Sequence, residues 1–247
     1  MSGRHDGRVA VITGGAGGIG RAYALRLARE GAAVAVLDRA DAADVVAEVE
    51  QGGGTAIAVR TDLTDAASVA EAQKEIATRL GPATVLVNNA GIYPNQLFED
   101  MTFDDWRAVF ALNVDALFHT VRAFVQDMRA AGWGRIVNMT SNSVNLVIPG
   151  FSHYIASKMA VIGLTRGLAT ELADAGITVN AVAPSLVRTG TTEAGPAAFF
   201  DIVPQMQAIK RVQVPEDLTG TVSFLVSDDA AFVTGQTFFV DGGLVRS

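Results

Sequence analysis

The stretch Val9-Ala10-Val11-Ile12-Thr13-Gly14-Gly15-Ala16-Gly17-Gly18-Ile19-Gly20, running on into Arg21–Glu30, decides the fold. A short apolar run hands over at Thr13 to a glycine-rich turn, and the hydrophobic pattern then changes from that of a strand to that of a helix. The handover recurs along the chain. Strands are predicted at 9–13, 33–37, 56–60, 84–88, 135–139, 178–183 and 237–240, with helices at 21–30, 66–80 and 116–130 between them. Each strand run is almost continuously apolar rather than alternating, as parallel strands covered on both faces are. This order predicts an α/β fold, a doubly wound parallel sheet of about seven strands with helices on both faces and right-handed crossovers. No linker or repeat interrupts it, so residues 1–247 read as one domain. The segment 189–211 breaks the rhythm: Gly190, Gly195, Pro196 and Pro204 surround Phe199-Phe200, and it is expected to be a substrate lid.

Composition narrows the classes of function. Of 247 residues, 49% are hydrophobic and 18% charged, and the net charge is −7. A nucleic-acid binder needs a basic face that this charge does not offer, and an acidic carrier protein would be repelled. The chain has no cysteine, which excludes disulfides, thiolate metal sites and a cysteine nucleophile. Its three histidines, His5, His119 and His153, are scattered, so no metal site is expected. The polar N-terminus has no apolar core of a signal peptide, and no run approaches the roughly 20 apolar residues of a membrane span. A cytoplasmic protein without membrane or nucleic-acid partners is the expectation.

The glycine turn carries the first chemistry. Gly14, Gly18, Ile19 and Gly20 would let the backbone approach a pyrophosphate at the N-terminus of the following helix, which favours negative charge. Alone, such a turn is equally a tight strand–helix connection. Asp38, 24 residues after Gly14 at the end of the second strand, strengthens the ligand reading. A carboxylate there can accept both ribose hydroxyls of an adenosine and repels a 2′-phosphate, so NAD is expected over NADP. No Lys or Arg lies within the turn; Arg39 is the one dissenting neighbour.

Tyr154 and Lys158 stand at i and i+4, on one face of a helix. Tyrosine ionises near pH 10, and a neighbouring ammonium is expected to lower that value toward a useful base. The spacing is common by chance. Ser141, 13 residues upstream at the end of the fifth strand, adds a hydroxyl able to hold a substrate oxygen. Asn88-Asn89-Ala90-Gly91 closes the fourth strand, and Asn113 lies in the helix after it.

Taken together, these motifs resemble the single-domain short-chain dehydrogenase/reductase family, and the similarity covers essentially the whole chain. It runs through the turn at 13–20, Asn88 to Gly91, Asn113, Ser141, Tyr154 to Lys158 and Val240-Asp241-Gly242-Gly243. It implies a Rossmann-type fold and a nicotinamide cofactor, with Tyr154 as acid–base, Ser141 orienting the substrate carbonyl, Lys158 on the nicotinamide ribose and Asn113 holding a relay water. It further places Asp62 and Leu63 at the adenine, Asn89 and Gly91 along the cofactor cleft, and Val187 and Thr189 at the carboxamide. Pro184-Ser185 departs from the family's usual Pro-Gly. Family members are commonly homotetramers, so one is expected.

Shorter stretches at 89–94, 132–136, 184–194 and 213–220 resemble the bacterial (S)-1-phenylethanol dehydrogenases, implying an uncharged hydrophobic or aryl alkyl ketone and its secondary alcohol. The expected pocket wall is Tyr93, Ser143, Val144, Leu186, Phe199, Phe200 and Met206, beside Ser141 and Tyr154. Alternatives are another ketone class (3-oxoacyl, steroid, cyclic alcohol or sugar) and a non-catalytic dinucleotide sensor. A sensor has no need to keep Tyr154, Lys158, Ser141 and Asn113 together.

Overall fold

In chain order the elements are β1 (Val9–Thr13), α1 (Gly18–Arg29), β2 (Ala33–Asp38), α2 (Ala43–Gln51), β3 (Thr55–Arg60), α3 (Ala66–Arg79), β4 (Val85–Asn88), α4 (Phe103–Phe110), α5 (Ala116–Ala131), β5 (Gly134–Met139), α6 (Ser152–Glu171), β6 (Ile177–Pro184), α7 (Gly190–Glu193), α8 (Ala198–Met206), α9 (Glu216–Leu225) and β7 (Thr237–Val240). This computed structural model describes residues 3–195 and 197–246. Expectations touching Met1, Ser2, Pro196 and Ser247 therefore lie outside the described residues.

The seven strands form one parallel sheet in the order β3-β2-β1-β4-β5-β6-β7. Strand order reverses between β1 and β4, and the crevice beyond the carboxyl ends at such a point is where ligands bind in this architecture. Alternate strand residues enter opposite layers. Ala10 and Ile12 pack with Tyr23, Leu27 and Leu218 on one face, while Val9 and Val11 pack with Ile76, Phe124 and Met128 on the other. Two covered faces leave no polar side to the strand, which is why each reads as an unbroken apolar run.

Several boundaries differ from expectation. Helix α1 starts at Gly18, inside the glycine turn, because the turn's fit against its neighbours overrides glycine's poor helix propensity. Helices α2, α4 and α9, of 9, 8 and 10 residues, are too short for their periodicity to stand out. The segment 189–211 is not an irregular loop: it holds α7 and α8, with Pro204 inside the last turn of α8. Asn113 sits in a five-residue π-turn, Ala111–Asp115, that joins α4 to α5.

That junction makes Phe103–Ala131 a continuous helical run of 29 residues with a mean hydropathy of 1.4 over its most apolar window, long and apolar enough to cross a membrane. It passes that test by average composition alone; no unbroken apolar stretch of about 20 residues stands in it, since Asp115, Arg122 and Asp127 interrupt the run. The charged residues dotted along the run hide its average apolarity from a letter-by-letter reading. In this fold its inner face, Leu117, Val121, Phe124 and Met128, belongs to the core.

Candidate active site

The glycine turn is held by β4. Thr13 Oγ1 accepts the backbone N–H groups of Asn89 (2.9 Å) and Ala90 (3.0 Å). The Asn89 amide donates in return to the carbonyls of Thr13 (3.0 Å) and Gly14 (3.1 Å). Gly14 adopts φ +62°, and a Cβ on it would lie 2.9 Å from Ala90 Cα. A Cβ on Gly20 would run into the Gly14 carbonyl and come within 2.7 Å of Asn89 Nδ2. These contacts admit only glycine and leave a smooth cradle at the N-terminus of α1, which suits a diphosphate. Gly18, Ile19, Asn89 and Gly91 line the cleft above it.

Asp38 stands on the rim, its Oδ2 accepting from Ala16 N–H and its Oδ1 from Ala40 N–H, both at 3.0 Å. Exposed Arg39 lines a neighbouring depression with Asp41 and Ala42 instead of the cleft. Asp62 and Leu63 do not join the wall. Asp62 Oδ1 accepts the Thr64 hydroxyl (2.7 Å) and N–H (3.0 Å), bonds that hold its carboxyl below the usual range. Leu63 is buried behind the cleft, in a small pocket with Thr13, Asn113 and Lys158. The adenine contact implied by resemblance therefore finds neither side chain facing the cleft.

Tyr154 lies in the first turn of α6, its ring edge-on to Tyr93 (centroids 6.2 Å apart) and to Phe151 (5.8 Å). Burial pushes its pKa up to about 12; the Ser141 hydroxyl pulls it down and the Tyr93 phenol pushes it up. The expectation that Lys158 lowers it is corrected for this arrangement. Lys158 Nζ lies 5.7 Å from the Tyr154 ring centroid and donates to the Met139 carbonyl at 2.9 Å. Burial pushes the ammonium itself down to about 8. Desolvation opposes both charged forms.

Ser141 caps the short turn Asn142–Asn145, its Oγ accepting Ser143 N–H at 3.2 Å. This fixes the hydroxyl beside Tyr154. Asn113 is buried, with Oδ1 accepting Ile92 N–H (2.9 Å) and Nδ2 donating to Ile92 O (2.9 Å) and Ser157 Oγ (3.0 Å). Ser157 donates in turn to the Tyr154 carbonyl at 2.7 Å. Asn113 thus braces the base of α6, and one lone pair on Oδ1 is left for a relay. Ser157 was missed in the sequence, where a serine inside a helical pattern carries no signal.

The cleft, about 680 Å³, runs from the glycine turn past Asp38 to Tyr154. Tyr93, Ser141, Ser143, Leu186, Val187 and Thr189 line it as expected, and Thr189 also caps α7. Phe199, Phe200, Met206 and Val144 do not. Phe199 and Met206 are 40% and 58% exposed, and Phe200 lies beneath the Arg188 guanidinium at 4.7 Å. The helical turn of α8 directs them away, which a loop reading of the segment could not foresee. Ile148 and Phe151 take their place; the signal was their position just ahead of Tyr154. Ser185 fits without strain, since no described residue other than glycine has positive φ. Its hydroxyl donates to Gln207 Oε1 (3.2 Å) and its N–H to Gln213 Oε1 (2.9 Å).

A glycine cradle at a strand-order reversal, leading to a phenol, a hydroxyl and a buried ammonium, defines a Rossmann-type oxidoreductase. Residues 14–245 match the family described as enoyl-(acyl carrier protein) reductase. A 3-oxoacyl-[acyl-carrier-protein] reductase of Synechocystis sp. is 42% identical over 96% of this chain and 97% of its own. An L-2,3-butanediol dehydrogenase of Corynebacterium glutamicum is 37% identical over 96% and 98%. The crystal structure of a gluconate 5-dehydrogenase from Burkholderia cenocepacia, in complex with NADP and tartrate, matches with a TM-score of 0.92 at 37% identity, covering 97% of this chain and 95% of that one. The chain belongs to the short-chain dehydrogenase/reductase family, whose members are oxidoreductases of alcohols and ketones that use a nicotinamide dinucleotide. These relatives do not single out the phenylethanol dehydrogenases that the shorter stretches resemble.

Proposed function

We propose that the protein is an NAD-preferring dehydrogenase that interconverts an uncharged, largely hydrophobic secondary alcohol and its ketone, with 1-phenylethanol and acetophenone as representative substrates. One observation carries the reading. Beside Tyr154 the cleft is walled by Tyr93, Ile148, Phe151 and Leu186, and no Lys, Arg or His stands among its described lining residues. Such a wall suits an apolar body and offers nothing to a carboxylate.

The cofactor would lie on the cradle of Gly14, Gly18 and Gly20, with Asp38 at its adenosine end and Lys158 at the nicotinamide end. When bound, the nicotinamide supplies the hydride carrier and, in its oxidised form, a positive charge near Tyr154. For alcohol oxidation, Ser141 holds the substrate oxygen and ionised Tyr154 takes its proton; in ketone reduction the phenol returns it. Lys158, anchored on the Met139 carbonyl, contributes positive charge behind the phenol.

A second reading, reduction of 3-oxoacyl groups on a carrier protein, is favoured by the Synechocystis relative. Charge argues against it. The protein carries −7 overall, Arg188 is paired with Glu193 (2.9 Å), and Arg211 with Asp217 (2.6 Å). The two guanidiniums flanking the lid are thus already matched by carboxylates. A panel of neutral and acidic ketones, 3-oxoacyl thioesters and alcohols, followed by absorbance of the reduced nicotinamide, separates the readings. Turnover of 1-phenylethanol with NAD is expected, and turnover of acidic or carrier-bound ketones alone would overturn the proposal.

A homotetramer working in the cytoplasm is part of the same proposal. An apolar groove between α5 and α6, lined by Phe118, Val121, Val125, Leu164 and Leu168, supports a subunit contact, and Phe118 is 51% exposed on it. Elution from a sizing column as a monomer would refute the assembly.

A further inference from the structure

The proton transfer uses no residue between positions 207 and 213, yet Gln207 and Gln213 are almost fully buried, at 3% and 6% exposure. Both amides have their direction fixed by carbonyl oxygens, which only accept. Gln207 Nε2 donates to the carbonyls of Ile209 (3.0 Å) and Arg211 (2.9 Å), and Gln213 Nε2 to that of Val240 (2.6 Å). Each Oε1 must then turn the other way, and both meet Ser185. Its hydroxyl donates to Gln207 Oε1 at 3.2 Å and its N–H to Gln213 Oε1 at 2.9 Å.

Three parts of the chain converge on Gln207. One is the end of β6, where Ser185 leads into Leu186 and Val187 of the cleft wall. Val187 also pairs with Gln213, whose carbonyl accepts Arg188 N–H at 2.8 Å. The second is α8, which Gln207 caps at its C-terminal end. The third is the turn after β7: the Gly242 carbonyl accepts the N–H groups of Ala208 (2.8 Å) and Ile209 (2.9 Å). Gly242 has φ +67°, and a Cβ on it would lie 3.0 Å from Gln207 Nε2. Asp241 Oδ2 ties that turn to the cleft wall, accepting Val245 N–H (2.8 Å) and the Asn142 amide (3.4 Å). A glycine at position 185 would keep the bond to Gln213 and lose the one to Gln207. A buried acceptor deprived of its donor is costly, so the hydroxyl of Ser185 is matched to Gln207.

We infer that Gln207 is a positioning residue for the reaction: through the Ser185 hydroxyl it holds the wall formed by Ser185, Leu186 and Val187 at the spacing that cofactor and substrate need. It touches neither ligand. The inference rests on the alcohol–ketone reading and adds to it a residue outside the constellation of Tyr154, Ser141, Lys158 and Asn113.

A wall held less firmly weakens ligand binding and leaves in place the proton transfer, which residues at the end of β5 and the base of α6 perform. Ser185→Gly and Ser185→Ala are expected to raise KM for both NAD and 1-phenylethanol by about three- to tenfold, the worth of one net hydrogen bond, with kcat held within about twofold. Gln207→Leu raises both KM values further, because it also releases the Ile209 and Arg211 carbonyls. Added to Gln207→Leu, Ser185→Ala then changes nothing, since its partner is already gone. A role confined to folding would instead lower the melting temperature and the fraction of active enzyme, and so kcat, with KM unchanged. Should Gln207→Leu fail to fold, the two Ser185 variants still decide. Fluorescence titration of NADH into Ser185→Ala reads the tie without an alcohol. If no alcohol is oxidised but NADH binds about three- to tenfold more weakly to the variant, the substrate reading falls and the positioning role stands. Unchanged KM and NADH affinity in both Ser185 variants, a loss carried by kcat alone, or full additivity of Ser185→Ala with Gln207→Leu overturns it.

Discussion

Tyr154→Phe leaves a protein that still binds NAD but turns over secondary alcohols about 10²- to 10⁴-fold more slowly, the usual worth of a positioned acid–base group. Phenylalanine keeps the edge contacts with Tyr93 and Phe151, so folding and cofactor affinity should change little. The pH dependence follows from the environment of the phenol. Burial raises its pKa to about 12, against the pull of Ser141, so at neutral pH the group is protonated and suited to donate. Acting as a base requires additional positive charge nearby, which Lys158 supplies only while protonated, below about 8, and which oxidised nicotinamide adds. With NAD bound, alcohol oxidation should therefore rise with pH as Tyr154 ionises and level off or fall above about 8, where Lys158 loses its charge, while ketone reduction falls as the phenol loses its proton. Ultraviolet titration of the phenolate should show one tyrosine whose ionisation moves to lower pH on addition of NAD and is missing from Tyr154→Phe. Retention of more than a tenth of wild-type kcat in the variant would end the assignment.

Asp38 carries the second large effect. Two negative charges about 4 Å apart repel by about 1 kcal/mol in water and about 4 kcal/mol at an effective dielectric of about 20. Asp38 is partly buried at the cleft rim, so its penalty on a 2′-phosphate falls between these limits, about fivefold to 10³-fold in preference. The wild-type enzyme should show higher kcat/KM with NAD than with NADP. Asp38→Asn, which removes the charge and keeps an oxygen able to accept from Ala16 or Ala40, should narrow the gap, chiefly by lowering KM for NADP. The Burkholderia relative was crystallised with NADP, so the outcome depends on what this position does in this chain. Equal or better use of NADP by the wild type would refute the preference.

How far the site could be read in advance varied with the range of the interactions behind it. The glycine turn was legible because its demands are local: Gly14 and Gly20 sit where a Cβ would strike backbone or the Asn89 amide. Tyr154, Lys158, Ser141 and Asn113 were legible as a constellation, and the structure brings all four to the end of β5 and the base of α6. The direction of the Tyr154 pKa was not, since i,i+4 spacing reveals the nearby ammonium but not the desolvation that opposes it. Phe199 was misplaced because its facing is set by α8, a helix that a segment rich in glycine and proline concealed. Asp62 was the right residue type in the family's place, yet Thr64 two positions on engages its carboxyl.

The sequence by itself determined the alternation of parallel strands and helices, the glycine-lined cradle and the acid–base pair, because periodicity, turn chemistry and helical spacing act over a few residues. Only the tertiary structure decided which side chains wall the cleft, what burial does to Tyr154 and Lys158, and which way the Asn142 amide faces. Those depend on atoms brought together from distant parts of the chain. Asn142 and Asp241, 99 positions apart, meet only because β5 and β7 flank β6 in one sheet.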